Sequence, residues 1–485
     1  MAPENGNKAA VRSEIEAWVD AHREEIIAET QAILRIPSVE RKEDAGEGAP
    51  FGKPIAEALA HTLSLCGRLG MDTEDFGGYA GHATFGDGDG LVAMLGHLDV
   101  VPVGKGWTRD PWGAEVSDGK IWARGSSDDK GPTYAALFGA AAVQALVRAG
   151  TIPAPARRIR LIFGCDEESG WQCMAHYFGP AGQPMPDLAF TPDATFPLVY
   201  AEKGSFTAVV ERDVAATPTA PLRVAYFYSG LRPNMVPDEA VAVLKGDAPA
   251  LDAAAHVLAA VPDLTLEQTA DGLTVTAKGK GAHGSTPEMG DNAAAKLMRA
   301  LTANTSALDD MDAADDAWMN DLARRAAPDG ATIGIGGRDE VTGHLTSNLG
   351  IVTCEGGKAR ATFNIRYPAT WDGDATTDRF TASLAETGWR VVELHHTPPL
   401  YVPQDAEPVK TLLRVYREHT GDPSEPLTMG GRTYATSVAP VGVAFGAALP
   451  GDPDVAHQAD EHFPVERLIQ CAKIYGHALY ELAAL

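Results

Sequence analysis

Residues 91–99 read Leu-Val-Ala-Met-Leu-Gly-His-Leu-Asp, a short apolar run that passes directly into a histidine and an aspartate. Similar apolar runs occur at Ile159–Phe163 and Leu188–Phe190, and each has an acidic side chain three residues beyond its end. A fourth run lies at Val441–Phe445. Apolar runs of this length are typical of strands that are buried on both faces of a parallel sheet. These runs therefore predict the centre of the fold.

Other segments show the apolar spacing of helices, and glycine or proline follows several of them, as at a helix C-terminus. A further strand is predicted at Gly81–Phe85, and the glycines of Gly86–Gly90 predict a hairpin turn after it. Alternating strands and helices predict the α/β class, with a mixed, largely parallel sheet that has helices on both faces. Helices are predicted over Arg12–Leu34, Ile55–Leu69, Lys130–Ala149 and Val465–Leu482.

The middle of the chain has a different pattern, and 485 residues are too many for one ordinary core. We expect a principal α/β domain made of residues 1–203 and 399–485, interrupted by an inserted α+β domain at residues 204–398. Strands are predicted within this insertion at Val224–Tyr228, Leu273–Ala277, Thr332–Ile335 and Ala361–Arg366.

Composition excludes several classes of partner. The chain has 40 Lys and Arg against 66 Asp and Glu, a formal net charge of −26, which would repel nucleic acid. No apolar stretch approaches the ~18 residues that a membrane span needs. The polar start of the chain is unlike a secretory signal, and the five cysteines form no C-x-x-C pair. We expect a cytoplasmic protein with reduced thiols and no nucleic-acid or membrane partner.

Two clusters combine residue types that metal sites use. His97 is followed by Asp99, and a metal-bound imidazole needs an acceptor for its second nitrogen. The pair Asp128 and Asp129 precedes a predicted helix, so an acidic N-cap is an alternative explanation for it. Because ligand groups gather at the carboxyl ends of strands in open α/β sheets, we expect the residues that follow the apolar runs to share one edge.

Three adjacent carboxylates, Asp166 to Glu168, form the next cluster. Like charges so close together are costly unless cations neutralise them, although an exposed acidic loop is the alternative. Asp193 and His457 complete the set. Two histidines and three carboxylates on one sheet edge can hold two divalent ions and leave a further acidic group for proton transfer.

The ordered set of motifs resembles the peptidase V dipeptidases, which belong to a larger superfamily with aminoacylases, carboxypeptidase G and succinyl-diaminopimelate desuccinylase. The resemblance covers nearly the whole chain. The motifs that carry it are His97-Leu98-Asp99, the run from Gly125 to Pro132, the run from Asp166 to Trp171, Ser285-Thr286-Pro287-Glu288, the run from Asn364 to Pro368, and Ala456-His457-Gln458.

The resemblance implies two divalent ions, with zinc as the first expectation and manganese or cobalt as alternatives. His97 and Asp193 would hold one ion, and Glu168 and His457 would hold the other. Asp128 would bridge the two ions. A site of this kind implies hydrolysis of the amide bond of dipeptides or very short peptides.

The resemblance also implies roles outside the ligand set. Asp99 would orient the first histidine, and Glu167 would be the general base. The inserted domain would act as a lid, in which Asn234, His283 and Arg366 reach over the substrate. The length of the insertion implies a monomer, with His283 acting on its own chain.

One loop departs from the family pattern. Gly430–Thr436 resembles a substrate loop, but Arg432 stands where a small residue is usual, and Thr436 stands where a basic residue is usual. The preferred substrate side chains therefore stay open. The motifs also fit an N-acyl amino acid deacylase or desuccinylase. A catalytically inactive metal-binding scaffold is a third hypothesis, against which Glu167 argues, since a structural site needs no free base.

Overall fold

The chain forms two compact units. The structure is a computed structural model that describes residues 2–215, 217, 219–269, 272–303 and 308–485, with side chains from residue 8 onward. The first unit consists of Met1–Ala201, Leu400–Thr428 and Arg432–Leu485, and the second unit consists of Glu202–Pro399 and Met429–Gly431. Among the described residues, no helix is both long enough and apolar enough to cross a membrane.

A mixed sheet forms the centre of the first unit, and nine of its strands lie in the described part of the chain. The predicted apolar runs are its parallel core, because neighbouring strands pair in parallel from Arg157–Gly164 through to Gly442–Ala444. The order is Asp72–Asp75, Ala80–Phe85, Arg157–Gly164, Gly90–His97, Leu188–Thr191, Gly442–Ala444, Val199–Glu202 and Leu400–Tyr401, with Leu427–Met429 also paired to Val199–Glu202.

Helices cover the parallel strands. Every residue of the strand Gly90–His97 except the first is buried, as expected for a strand with both faces covered. The helices Lys130–Arg148 and Val465–Ala483 pack closely where Gly139 meets Gly476, since a Cβ on Gly139 would lie 2.5 Å from the Gly476 nitrogen. The helices of this unit are Ala2–Ala21, Arg23–Leu34, Lys53–Arg68, Lys130–Arg148, Gln172–Phe178, Glu407–Thr420 and Val465–Ala483, with short 3₁₀ helices at Lys42–Asp44 and Tyr434–Val438.

Two local predictions for this unit were wrong. The single helix predicted over Arg12–Leu34 is two helices, which meet at His22. The His22 ring stacks on Trp18, and its Nδ1 lies 2.8 Å from the Trp18 carbonyl, so the side chain competes for a helical acceptor. Gly86–Gly90 is not a hairpin turn, because the strand Arg157–Gly164 lies between the two strands that it connects.

Smaller sheets complete the first unit. The strand His462–Pro464 pairs with Lys120–Trp122, which pairs in turn with Glu115–Ser117. A second short pair joins Ala194–Thr195 to Ala447–Ala448. The three-stranded sheet connects the segment after His457 to the segment before Asp128.

The second unit is built on an antiparallel sheet, with eight strands in the part of the chain that the structure describes. Burial alternates along Gly204–Asp213, as expected for a sheet with one face on a core. The strand order is Leu264–Thr269, Gly272–Lys278, Glu239–Gly246, Leu222–Ser229, Thr346–Glu355, Lys358–Tyr367, Gly204–Asp213 and Arg390–Thr397. Its helices are Ala248–Leu258, Ala293–Leu301, Ala313–Arg325 and Gly373–Ala385, with 3₁₀ turns at Pro287–Met289 and Ala331–Ile333 and a strand pair Arg338–Asp339 and Gly343–His344.

The strand predicted at Thr332–Ile335 was wrong. Residues Ala331–Ile333 form a 3₁₀ helix instead. The glycines on either side of it, Gly330 and Gly334, have φ angles of +68° and +78°, which an extended strand does not allow. Sequence analysis also missed the strand Thr346–Glu355, which lies in the middle of this sheet.

Candidate active site

Polar side chains that follow the parallel strands meet at one edge of the sheet in the first unit. His97 is the last residue of its strand and pairs with Gly164, the last residue of the neighbouring parallel strand. The acidic run Asp166 to Glu168 begins two residues after Gly164, so it follows its strand at the same end of the sheet as His97. Asp193 follows the neighbouring strand, and its Oδ2 lies 3.9 Å from Nε2 of His97. The parallel register therefore brings together residues that are far apart in sequence.

Asp128 lies between the two histidines of the cluster. Its Oδ1 is 3.1 Å from Nε2 of His97, and its Oδ2 is 2.9 Å from Nε2 of His457. The same His457 nitrogen is 2.8 Å from Oε1 of Glu168. His457 has a φ angle of +61°, an uncommon backbone conformation for a residue other than glycine, which is often found at functional sites.

The neighbouring Asp129 occupies the N-cap position of the helix Lys130–Arg148, but its side chain makes no capping hydrogen bond. Its Oδ2 accepts instead from the Thr133 hydroxyl, at 2.8 Å, and from the His97 backbone N–H, at 3.2 Å. Burial raises the pKa of Asp129 to about 7. The carboxylates before this helix therefore do not act as a simple acidic cap.

Asp99 contacts both the first histidine and the acidic run. Nδ1 of His97 lies 2.9 Å from the backbone carbonyl of Asp99, and 3.6 Å from its carboxylate. The carboxylate accepts hydrogen bonds from the backbone N–H groups of Glu167 and Glu168, each at 3.0 Å. The backbone carbonyl of Asp99 therefore restrains the His97 imidazole, and the Asp99 carboxylate restrains the turn at Glu167 and Glu168.

Electrostatics in this cluster favour a bound cation. Burial, and then the charge of neighbouring carboxylates, raises the pKa values of Glu167, Glu168 and Asp193 above their usual range. Hydrogen bonds to Asp128 and Glu168 raise the pKa of His457 to about 10. Crowded carboxylates thus draw positive charge to the site, and a divalent cation can replace those protons.

The ligand atoms form two overlapping groups of metal-binding size. Those of His97, Glu167 and Asp193 lie within 4.8 Å of one another, and so do those of His97, Asp128 and Glu168. Imidazole nitrogen and carboxylate oxygen suit zinc, manganese or cobalt. The residues present therefore fit divalent ions.

The remaining predicted site residues lie together in the second unit. The backbone N–H of the residue after His283 donates to the Asn234 carbonyl at 2.7 Å. Nδ1 of His283 is 2.6 Å from the Ser285 hydroxyl. Arg366 donates to the carbonyl of Gly430, and a Cβ on Gly430 would lie 3.7 Å from Ser285 Cβ. Asn234 and His283 are exposed, and Arg366 is partly buried.

The loop that departs from the family pattern packs on Trp171, three residues beyond the acidic run. The guanidinium of Arg432 lies over the ring of Trp171, with 4.2 Å from its central carbon to the ring centroid. The Trp171 indole N–H donates to the Glu167 carbonyl at 2.7 Å. Thr436 is buried within the short helix Tyr434–Val438. Arg432 is thus connected to Glu167 through one aromatic ring.

Sequence analysis missed two buried residues that hold this edge in place. Glu461 is fully buried and accepts hydrogen bonds from the backbone N–H groups of Ser127 and Asp128. Lys130 is also fully buried, and its Nζ donates to the carbonyls of Ile33 and Ile36. A buried charge needs a partner, but local sequence patterns do not show which residues will be buried together.

Comparisons with known proteins agree over the length of the chain. The pattern that defines Peptidase family M20/M25/M40 matches residues 93–481. A Bacillus subtilis (strain 168) protein named "Putative dipeptidase YtjP" is 38% identical over 483 residues, which cover 96% of this chain and 99% of that protein. A Beta-Ala-Xaa dipeptidase of Lactobacillus delbrueckii subsp. lactis is 34% identical over 475 residues, 96% of this chain and 97% of that protein.

The fold is shared with human carnosine dipeptidase 1, whose crystal structure matches with a TM-score of 0.56 at 16% identity, covering 98% of this chain and 99% of that chain. The resemblance predicted from the motifs is confirmed by the family match and by the full-length relatives. Given this match and the two groups of ligand atoms, the chain belongs to Peptidase family M20/M25/M40 and is a metallopeptidase, a hydrolase that acts on peptide bonds.

Proposed function

We propose that this peptidase is a dipeptidase that works with two divalent ions. Zinc is the first expectation for both ions, and manganese and cobalt are the alternatives. The observation that carries the proposal is the position of Asp128, whose two oxygens face His97 and His457 separately. A carboxylate that faces two imidazoles suits a bridging ligand. The names of the relatives from Bacillus subtilis and Lactobacillus delbrueckii support a dipeptide substrate.

The proposed ligands divide between the two ions. His97 and Asp193 would hold one ion, Glu168 and His457 would hold the other, and Asp128 would be a ligand to both. Two bound divalent ions would lower the pKa of a water molecule and polarise the scissile carbonyl.

Glu167 is the proposed general base. It accepts a proton from the attacking water and gives that proton to the nitrogen of the leaving amine as the amide C–N bond breaks. Its carboxylate lies in one group of ligand atoms with His97 and Asp193, so it is beside the proposed ions without being assigned to either of them. The hydrogen bonds from the Glu167 and Glu168 N–H groups to Asp99 keep the turn in position.

Residues 204–398, which make up most of the second unit, are the proposed lid, inserted between the catalytic segments 1–203 and 399–485. His283 stabilises the developing oxyanion, while Asn234 and Arg366 bind the substrate. Arg366 binds the terminal carboxylate, because a guanidinium fork matches its two oxygens. The proximity of these residues within the unit supports a shared role.

We further propose that the protein is a monomer in the cytoplasm, with His283 acting on its own chain. Each of the five cysteines is a buried free thiol, as expected in a reducing compartment. Light scattering should give the mass of one chain. Activity recovered on mixing His283→Ala and Glu167→Ala proteins would show instead that a second subunit completes the site.

A substrate panel tests the proposed function. Metal-stripped protein is reconstituted separately with zinc, manganese and cobalt, and is then assayed on free dipeptides and on N-acyl amino acids. We expect dipeptides to be cleaved with the higher kcat/KM, and metal-stripped protein to be inactive. Higher kcat/KM for N-acyl amino acids would favour the deacylase alternative. No hydrolysis with any metal would favour the inactive scaffold.

A further inference from the structure

Glu461 makes a set of contacts that converge on the loop before Asp128. Its Oε1 accepts from the backbone N–H of Ser127 at 2.9 Å, from the Ser127 hydroxyl at 3.1 Å, and from the backbone N–H of Asp128 at 3.2 Å. Its Oε2 accepts from the guanidinium of Arg124. The Glu461 carboxylate therefore holds the loop at its end, through Ser127 and Asp128, and at its start, through Arg124.

The ion pair between Glu461 and Arg124 is deeply buried, and Ser127 and Asp128 are partly buried. The side chains of Glu461 and Arg124 are 0% and 1% exposed. The loop passes close to Val100 at Gly125, which has a φ angle of +86° and where a Cβ would lie 2.8 Å from a methyl group of Val100. Water is a poor substitute for a buried charged acceptor, so loss of the carboxylate would leave the Arg124 guanidinium without its charged partner and would remove the acceptor that Ser127 and Asp128 share.

Glu461 also belongs to the segment that carries His457. The strand that follows it, His462–Pro464, pairs with Lys120–Trp122, and the Glu461 carbonyl accepts from the Ala123 N–H at 3.1 Å. Glu461 thus connects the backbone that carries His457 to the backbone that carries Asp128. These are the two residues whose side chains meet at 2.9 Å in the cluster.

We propose that Glu461 is a positioning residue for the metal site: it fixes the backbone of Asp128 relative to His457, so that both can bind the same ion. This inference rests on the proposed ligand roles of Asp128 and His457. Outer groups that orient metal ligands typically change metal affinity by roughly 10–100-fold when they are removed. We expect Glu461→Gln to weaken zinc binding by about that factor, because it removes the charge and one of the two acceptor oxygens.

The test is calorimetric titration of the metal-stripped full chain with zinc, alongside thermal unfolding of the same metal-free protein. Asp321→Asn is the matched control, since Asp321 is a buried carboxylate in the second unit that accepts from Arg325, Thr387 and Trp389 and has no proposed role. We expect Asp321→Asn to lower the unfolding temperature yet to keep wild-type zinc affinity. Equal zinc affinity in Glu461→Gln and wild type, or an equal loss of affinity in Asp321→Asn, would overturn the inference.

A second variant covers the case in which Glu461→Gln does not fold. The double variant Arg124→Met and Glu461→Leu replaces the buried ion pair by apolar groups, a change that proteins often tolerate. It should fold and still bind zinc more weakly than wild type. If it binds zinc as tightly as wild type, and wild type cleaves dipeptides, only the role of Glu461 is wrong. If wild type itself binds no zinc, the proposed ligand set is wrong and the role of Glu461 falls with it.

Discussion

The carboxylate of Asp99 accepts a hydrogen bond from the backbone N–H of Glu167, with 3.0 Å between Oδ1 and N. Its other oxygen accepts from the N–H of Glu168 at the same distance. Asp99→Asn would place amide hydrogens against one of these N–H groups. A hydrogen bond to a charged group contributes ~1.5–3 kcal/mol, so we expect kcat/KM to fall by roughly 10–100-fold.

Kinetics and metal content of Asp99→Asn should be measured together with those of a control. Asp339→Asn is suitable, because Asp339 accepts from the N–H groups of Thr342 and Gly343 in the second unit. A control that loses as much activity as Asp99→Asn would show that the effect is not specific to the turn at Glu167.

Glu167 and Glu168 should separate by function although they are adjacent. Glu167→Gln removes the proton acceptor, so we expect turnover to be abolished while two ions stay bound. Glu168→Gln should weaken or lose one ion, since Glu168 faces His457 at 2.8 Å. Elemental analysis of both purified variants is the measurement. Loss of metal from the Glu167→Gln protein would show instead that Glu167 is a metal ligand. Such a role would agree with its place in one of the two groups of ligand atoms.

Arg366 should make the enzyme depend on a free substrate carboxylate. A dipeptide amide loses the charged, two-pronged partner, which at about 3 kcal/mol corresponds to roughly a 100-fold lower kcat/KM. Arg366→Lys should recover only part of the wild-type value, because it keeps the charge but loses the fork. Tetrapeptides should be poor substrates if the second unit closes over the site.

The comparison requires kcat/KM for a dipeptide, its C-terminal amide and a tetrapeptide, in wild type and in Arg366→Ala. Arg360→Ala is the control, since Arg360 lies on the same strand and pairs with Glu211. Equal kcat/KM for acid and amide in wild type would remove Arg366 from this role.

Arg432 should influence the choice of substrate side chain. Its guanidinium is held over Trp171, and the indole contacts Glu167. A cation at this place should favour an acidic residue at the second position of the dipeptide. Arg432→Gly should reduce that preference by about tenfold, because one charged hydrogen bond contributes ~1.5 kcal/mol. Arg109→Gly is a matched control, because Arg109 lies over Trp122 at 4.4 Å. The hypothesis fails if Arg432→Gly keeps the wild-type ratio for acidic and neutral dipeptides.

Two buried histidines away from the cluster should make stability depend on pH. Nε2 of His419 and Nδ1 of His477 are 3.1 Å apart, and burial, followed by neighbouring positive charge, lowers the pKa of each to about 3. Unfolded histidine has a pKa of about 6.5, so between about pH 6.5 and pH 3 the unfolded chain binds protons that the folded chain does not. The contribution of these two histidines to the free energy of unfolding is therefore fully present above pH 6.5, and it decreases as the pH falls.

Calorimetry of metal-free protein at pH 7 and pH 4.5 measures this effect. The double variant His419→Gln and His477→Gln should lose less stability on acidification than wild type. His395→Gln, which changes an exposed histidine, should behave like wild type. An unchanged pH dependence in the double variant would place the acid sensitivity in other groups.

The central fold could be predicted because burial leaves a local pattern. The run at 91–95 is apolar at every position since both faces of its strand are covered, and it forms the strand Gly90–His97. The helices Lys130–Arg148 and Val465–Ala483 were predicted to within one residue at each end, because glycine and apolar spacing mark them. Irregular places were missed, such as His22, where a side chain interrupts the expected helix.

The sequence by itself determined the α/β class and the candidate cluster, since His97, Asp128 and Asp193 follow strands or precede a helix and their order along the chain resembles one family. Only the tertiary structure decided how they are held. Ser127 and Glu461 are 334 positions apart, yet the backbone N–H and the hydroxyl of Ser127 both donate to the buried carboxylate of Glu461. No local pattern encodes such a contact, because it exists only where two distant segments are packed into the same dry space, and there a charge must find its partner.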